Sequence, residues 1–196
     1  MNALVSKILR NYFPATFFIL ICSVLVSYPD RNLIQITLGI SFMYFWIYFV
    51  HRSLHMLPRD GLIGSLNTHW QYHHQPEKLL DRRIELCFEA LTDICMNYSI
   101  MLVQWATGVW FVPYSVVLMF GLIYTSVHIV NYSIIGSATH KKHHMNVDTN
   151  YGPDPVDHIF GTNHDDTFED MLPFTLNAAF SCAFIYYMKN KFGWVD

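Results

Sequence analysis

The chain has 196 residues, of which 53% are hydrophobic and only 14% charged, a balance too apolar for an average soluble domain and one that predicts a membrane protein. A formal net charge of −3 and a pI near 6.4 leave no clustered basic face, so a nucleic-acid partner is not expected. Cys22, Cys87, Cys95 and Cys182 form no Cys-x-x-Cys pair, which argues against a zinc ribbon or disulfide framework and leaves four free thiols.

The first segment, "MNALVSKILRNYFPATFFILICSVLVSYPDR", has the basic start and apolar centre of a signal peptide. No small-x-small cleavage site follows, so an uncleaved span over 12–28 is expected. A second apolar run covers 33–50, and "PDRN" between them, with Pro29 and Asn32, suits two antiparallel helices joined tightly. After a polar stretch from 51 to about 85 come "LCFEALTDICMNYSIMLVQWATGVWFV", Pro113 and a last long run from 114 to about 135, a second hairpin. Spanning a bilayer takes about 20 apolar residues. "FTLNAAFSCAFIYYM" at 174–188 is short for that, and an interfacial or re-entrant helix is expected there. No repeat, low-complexity tract or linker divides the chain, so residues 1–196 read as a single all-α integral membrane unit of about four transmembrane helices in two hairpins.

Basic residues collect on the cytoplasmic flanks of membrane helices. With a cytoplasmic N-terminus, Lys7, Arg10, Arg52, Arg59, Lys78, Arg82, Arg83, Lys141, Lys142, Lys189 and Lys191 share that side and only Arg31 faces away. The same assignment carries three histidine-rich boxes to one face, although they played no part in the count: "HRSLH" at 51–55, "HWQYHH" at 69–74 and "HKKHH" at 140–144.

Residues four apart share a helix face, so His51 with His55, His69 with His73, and His140 with His144 each present two imidazoles to a common point. The adjacent pairs His73-His74 and His143-His144 diverge by roughly 100°, which suits two neighbouring ions. One histidine at a membrane boundary is ordinarily an interfacial polar residue; eight at ligand spacing on one side predict a metal site in a cytosolic histidine-rich cap. Imidazole suits zinc, copper, iron and nickel alike. Arg52 and Ser53 stand where a zinc peptidase needs the glutamate of His-Glu-x-x-His, and the Glu-x-x-His motifs of soluble di-iron bundles are absent. An all-imidazole pair of irons remains. A histidine-rich metal transporter is the rival, but transporters place ligands near the bilayer midplane on broken helices, whereas these boxes fall at helix ends.

Among the remaining polar residues, Asn150, Tyr151 and Gly152 before "PDP" read as a turn. Asp148, Asp154 and Asp157 are candidates to hold the second nitrogen of a ligand imidazole, with Asp157 foremost and Asn150 beside them. His158 and His164 lie outside any box and read as surface or outlying residues. Arg83 and Glu89 are placed to pair, though a solvated face is the default.

From about residue 45 to 165 the sequence resembles the fatty acid hydroxylase superfamily of integral membrane di-iron oxygenases, and within it the sterol desaturases. "HRSLH", "HWQYHH", "HIVNYS" and "IIGSATHKKHHMNVDTNYGPDPVDHIFGT" carry the resemblance. It implies that His51, His55, His69, His73, His74, His128, His140, His143 and His144 hold two iron ions, with zinc able to substitute on expression. It also implies O2-dependent hydroxylation or desaturation of a lipid drawn from the bilayer. Thr139 and Val156 depart from residues common in the family, and the chain is shorter than most sterol-acting members. No Gly-x-Gly-x-x-Gly fingerprint or fused haem module is present, so electrons from NAD(P)H are expected through a separate carrier such as cytochrome b5 or a ferredoxin. The resemblance places the chain in the endoplasmic reticulum of a eukaryote or the inner membrane of a bacterium, with its boxes on the cytoplasmic side.

Overall fold

Apolar length decides most of the architecture. In the computed structural model, which describes residues 3–75, 81–165, 171 and 174–196, four helices are long and apolar enough to cross a membrane. We number the helices in chain order: α1 Val5–Ser27, α2 Leu33–Met56, α3 Gly61–Leu66, α4 Arg82–Thr107, α5 Tyr114–Gly136, α6 Ala138–Met145, α7 Asp154–Phe160 and α8 Phe174–Phe192. No strand occurs among the described residues, and the four cysteines are free thiols. The protein is an all-helical membrane protein with a histidine-rich cluster at one end of its bundle.

Local chemistry sets the helix boundaries. Pro14 has no backbone N–H to give to the preceding turn, and the chain relaxes into a π-helical turn at Ile8–Tyr12 immediately before it. Asn32 starts α2 through a reciprocal cap: its side chain accepts from Gln35 N at 2.9 Å while Gln35 Oε1 accepts from Asn32 N at 3.3 Å. α4 ends where Gly108 turns left-handed at φ 69°. Gln104 closes the next turn, its amide oxygen accepting from Val112 N at 2.7 Å and its amide nitrogen donating to Val112 O at 3.3 Å.

Inside a bilayer, lipid tails are as apolar as leucine, so helices associate through close packing and hydrogen bonds rather than burial from water. Gly39 lets α2 approach the Val112–Pro113 corner. Gly121 on α5 makes room for the Tyr98 ring of α4, whose hydroxyl donates to Leu118 O at 3.2 Å. Trp46 Nε1 donates to Met96 O at 3.3 Å, tying α2 to α4. The buried stripe of α2, Ile36, Gly39, Ile40, Met43, Ile47 and Tyr48, continues without a break into His51 and His55. One helical periodicity thus serves both core and site.

The last helix differs from its sequence expectation. α8 is neither interfacial nor re-entrant; it lies against α1 and α5 through the depth of the bundle. Phe174 meets the Tyr132 ring near the histidine end, Asn177 Nδ2 donates to Ser126 Oγ at 3.0 Å, and Cys182 Sγ approaches Cys22 O at 3.6 Å. At the far end Lys189 Nζ donates to Val26 O at 2.7 Å and pairs with Asp30 at 2.6 Å. Its buried face of Phe174, Ala178, Ser181, Cys182 and Ile185 replaces the lipid contact that a short surface helix would keep. Lys189 and Lys191 therefore join Arg31 at the end opposite the histidines, correcting their place in the charge count. Lys78 lies outside the described residues.

Candidate metal centre

The ends of α2, α4 and α5, the π-helical turn His69–His73 and α6 converge on one buried cluster that contains all nine histidines of the expected set. The cluster divides in two. His51, His55, His69, His74 and His143 surround one point: the Nε2 atoms of His51 and His69 are 3.0 Å apart, those of His55 and His69 3.0 Å, and those of His69 and His74 3.2 Å. His73, His128 and His140 gather with Glu89 around a second, and His144 Nε2 lies 3.0 Å from the Nε2 atoms of both His73 and His140.

The partition corrects one spacing argument. His51 with His55 and His140 with His144 each share a centre, as residues four apart on a helix should. His69 and His73 do not. The turn that carries them is π-helical, closed by His74 N donating to His69 O at 3.2 Å, and it brings His69 and His74, five apart, to the first centre while His73 turns to the second. His128 likewise begins a π-helical segment, Val127–Gly136.

Hydrogen bonds at the outer nitrogens fix what the inner ones offer. His51 Nδ1 donates to Tyr151 O and His143 Nδ1 to Thr149 O, each at 2.6 Å. His73 Nδ1 meets Glu89 Oε1 at 3.0 Å, and His128 Nδ1 meets both oxygens of Asp93 at 2.8 Å. Carbonyls and carboxylates only accept, so His51, His143 and His128 carry their proton on Nδ1 and turn a lone pair inward from Nε2. Burial, the largest cause, pushes His69, His73, His140 and His143 well below the usual imidazole range, and lowers His144 to about 4. Neutral lone pairs facing one another at about 3 Å repel unless a cation lies between them. The Nε2 of His143, a residue 1% exposed, has no hydrogen-bond partner among the described residues and is one such donor. The donor set fits transition-metal ions.

The outlying acidic residues act otherwise than expected. Asp157, 1% exposed, touches no imidazole; it accepts from Tyr151 N at 3.0 Å, Gly152 N at 2.6 Å and Thr162 Oγ1 at 2.7 Å. It secures the turn whose Tyr151 carbonyl orients His51, and burial raises its carboxyl to about 6 against those three donors. The turn itself forms, with Asn150 at φ 53° and Gly152 at φ 67°. Asn150 Oδ1 accepts from His164 N at 2.8 Å rather than from a ligand ring. Asp148 is exposed, Asp154 N donates to Tyr12 Oη at 3.1 Å, His158 is half-buried on α7, and His164 is exposed beside Asp165. Glu89 is buried against His73 instead of pairing with Arg83, which is exposed; Arg82 pairs with Glu85.

Sequence reasoning missed Glu89 and Asp93 as the carboxylates that hold histidine rings. The signal was present: Glu85, Glu89 and Asp93 recur every four residues on one face of a helix long and apolar enough to cross a membrane, and ionisable residues in such a helix mark a functional site.

A cavity of about 100 Å³ opens from the cluster into the bundle. His51, His128 and His140 close one end, and Ile19, Tyr44, Phe120, Ile123 and Phe174 supply its largely apolar wall. Paired imidazole clusters able to hold metal ions thus stand at the end of a membrane helix bundle, beside a largely apolar cavity. The fatty acid hydroxylase family matches residues 36–162, and the chain belongs to it. No curated protein and no solved structure matches the chain. Membership makes the chain an oxidoreductase of the lipid hydroxylase and desaturase type.

Proposed function

We propose that the chain is a di-iron oxygenase that hydroxylates or desaturates an unactivated C–H position of a sterol, fatty acyl or sphingoid lipid. The observation that carries this reading is the cavity: its apolar wall is continuous with the bundle core and its end is formed by histidines of both centres. A pair of reduced irons supplies the activation of dioxygen that breaking such a bond demands.

The chain's own residues do the rest. His51, His55, His69, His74 and His143 hold one iron, and His73, His128, His140 and His144 serve the other. Tyr151 O, Thr149 O and Asp93 lock His51, His143 and His128 with Nε2 inward. Ile19, Phe120, Ile123 and Phe174 admit an alkyl segment and exclude water from it. Electrons from NAD(P)H arrive through a separate carrier, such as cytochrome b5 or a ferredoxin, at the histidine end. That end carries Arg52, Arg59, Arg82, Arg83, Lys141 and Lys142 and is assigned to the cytoplasmic side by its basic residues.

The test combines metal analysis with product analysis. Purified protein should contain close to two transition-metal ions per chain, and cells expressing it under 18O2 should accumulate a lipid that is either labelled in a new hydroxyl group or two hydrogens lighter. Fewer than one ion per folded chain, or a lipidome identical to that of cells carrying a His143→Ala variant, contradicts the proposal.

A further inference from the structure

The first centre has five imidazoles; the second has four, His73, His128, His140 and His144, and Glu89 stands in the remaining place. Glu89 is 3% exposed. Its Oε1 accepts from the Ser133 hydroxyl and lies 3.0 Å from His73 Nδ1 and 3.6 Å from His128 Nε2. Its Oε2 is buried and has no hydrogen-bond partner among the described residues. A buried carboxylate oxygen without a donor is costly, the more so on a membrane helix. Arg83, the nearest guanidinium in sequence, is exposed, Arg82 is engaged with Glu85 and Ser133 O, and no lysine or arginine pairs with Glu89 among the described residues. What the orphaned oxygen lacks is a cation, and a Glu89 carboxylate oxygen gathers with ligand nitrogens of His73, His128 and His140, all within 4.8 Å of one another.

We propose that Glu89 is an oxygen donor to the second ion, so that the two positions differ: the first is built of five neutral imidazoles, and the second of four imidazoles and a carboxylate. The inference rests on the dimetal reading above and adds an order to it. A divalent ion in the first position keeps its full charge in a low-dielectric interior, whereas in the second it meets Glu89 directly and Asp93 through His128, whose ring the carboxylate makes a stronger donor. The second position therefore binds a divalent transition metal more tightly and fills first. It is also the position whose His128 and His140 line the cavity.

Titration of the metal-free, full-length protein with Co(II) tests this without any turnover. The wild-type chain should show two classes of site, filled in sequence and with distinct visible spectra. Glu89→Gln should weaken the tighter class by about 10–100-fold and leave the other at its wild-type affinity, while His143→Ala should weaken only the looser class. Unchanged affinities in Glu89→Gln, or equal weakening of both classes, overturns the assignment. Should Glu89→Gln not fold, the wild-type chain alone decides: at half loading with 57Fe, one Mössbauer doublet should precede the other, and simultaneous growth of two equal doublets overturns the proposal. A wild-type chain that binds no ion removes the dimetal reading as well, an outcome separate from the others.

Discussion

His51 gives its Nδ1 proton to the carbonyl of Tyr151 across 2.6 Å, and the amide of the same Tyr151 is held by Asp157 at 3.0 Å. The carboxylate thus sets the ring from one peptide away. Asp157→Ala leaves two buried amide donors and the Thr162 hydroxyl without their acceptor, at a cost of about 1–3 kcal/mol for each group left unsatisfied. It should lower the thermal midpoint and loosen His51, reducing activity by at least about 10-fold. Normal melting together with normal turnover would show that the turn is held by other contacts.

His143 and His164 both follow the apolar run of α5, yet one is 1% exposed within the first centre and the other is exposed beside Asp165. His143→Ala should abolish turnover while membrane insertion persists, because the spans depend on apolar length. His164→Ala should change turnover by less than about 2-fold, as surface substitutions do. Lipid product assays at matched protein levels compare them.

Acid should destabilise the metal-free protein. Unfolded histidine binds its proton near pH 6.5, whereas in the folded chain burial holds His144 neutral down to about 4 and pushes His69, His73, His140 and His143 well below the usual range. Between those limits the unfolded state binds more protons, so the free energy of unfolding falls as pH falls through 6.5 towards 4. The thermal midpoint of apoprotein should drop steadily below pH 6.5; a flat or rising midpoint between pH 6.5 and 5 would contradict the buried, neutral state of these rings.

Topology follows from α8. Single cysteines placed at Arg31 and Val195, in a background lacking the four native thiols, should react with an impermeant reagent on one face of the membrane. One placed at Lys141 should react only on the other. Labelling of 195 together with 141 would mean that α8 does not run the depth of the bundle as its contacts with Ser126 and Val26 indicate.

Gly121 tests the α4–α5 seam. A methyl group there overlaps the Tyr98 ring, and relieving the clash moves a ring whose hydroxyl bonds Leu118 O. Gly121→Ala should cost about 1–3 kcal/mol, read as a lower denaturation midpoint in detergent. The metal content of the surviving folded fraction should stay unchanged.

The spans were legible because each is a long apolar run, and the shared pairs His51/His55 and His140/His144 because an α-helix repeats at a fixed angle. The swap of His73 for His74 was not, since a π-helical turn leaves no periodic trace in six residues. α8 was hidden for another reason: Asn177 and Lys189 dilute its apolar character, and only the partners Ser126, Val26 and Asp30 show what they bond. Glu89 read as part of a solvated face, and Asp93 carried no reading, because nothing in the sequence says which side of α4 meets the imidazoles. The histidines announced a metal; how their outer nitrogens are held depends on contacts made across the chain.

The family match covers residues 36–162, but the cavity does not respect those limits. Tyr12 and Ile19 reach it from before the matched segment, and Met171 and Phe174 from after it. Part of the cavity wall is thus encoded outside the stretch that carries the histidines. On the reading proposed above, α1 and α8 can vary in sequence and reshape the space offered to a lipid without touching any of the nine clustered histidines.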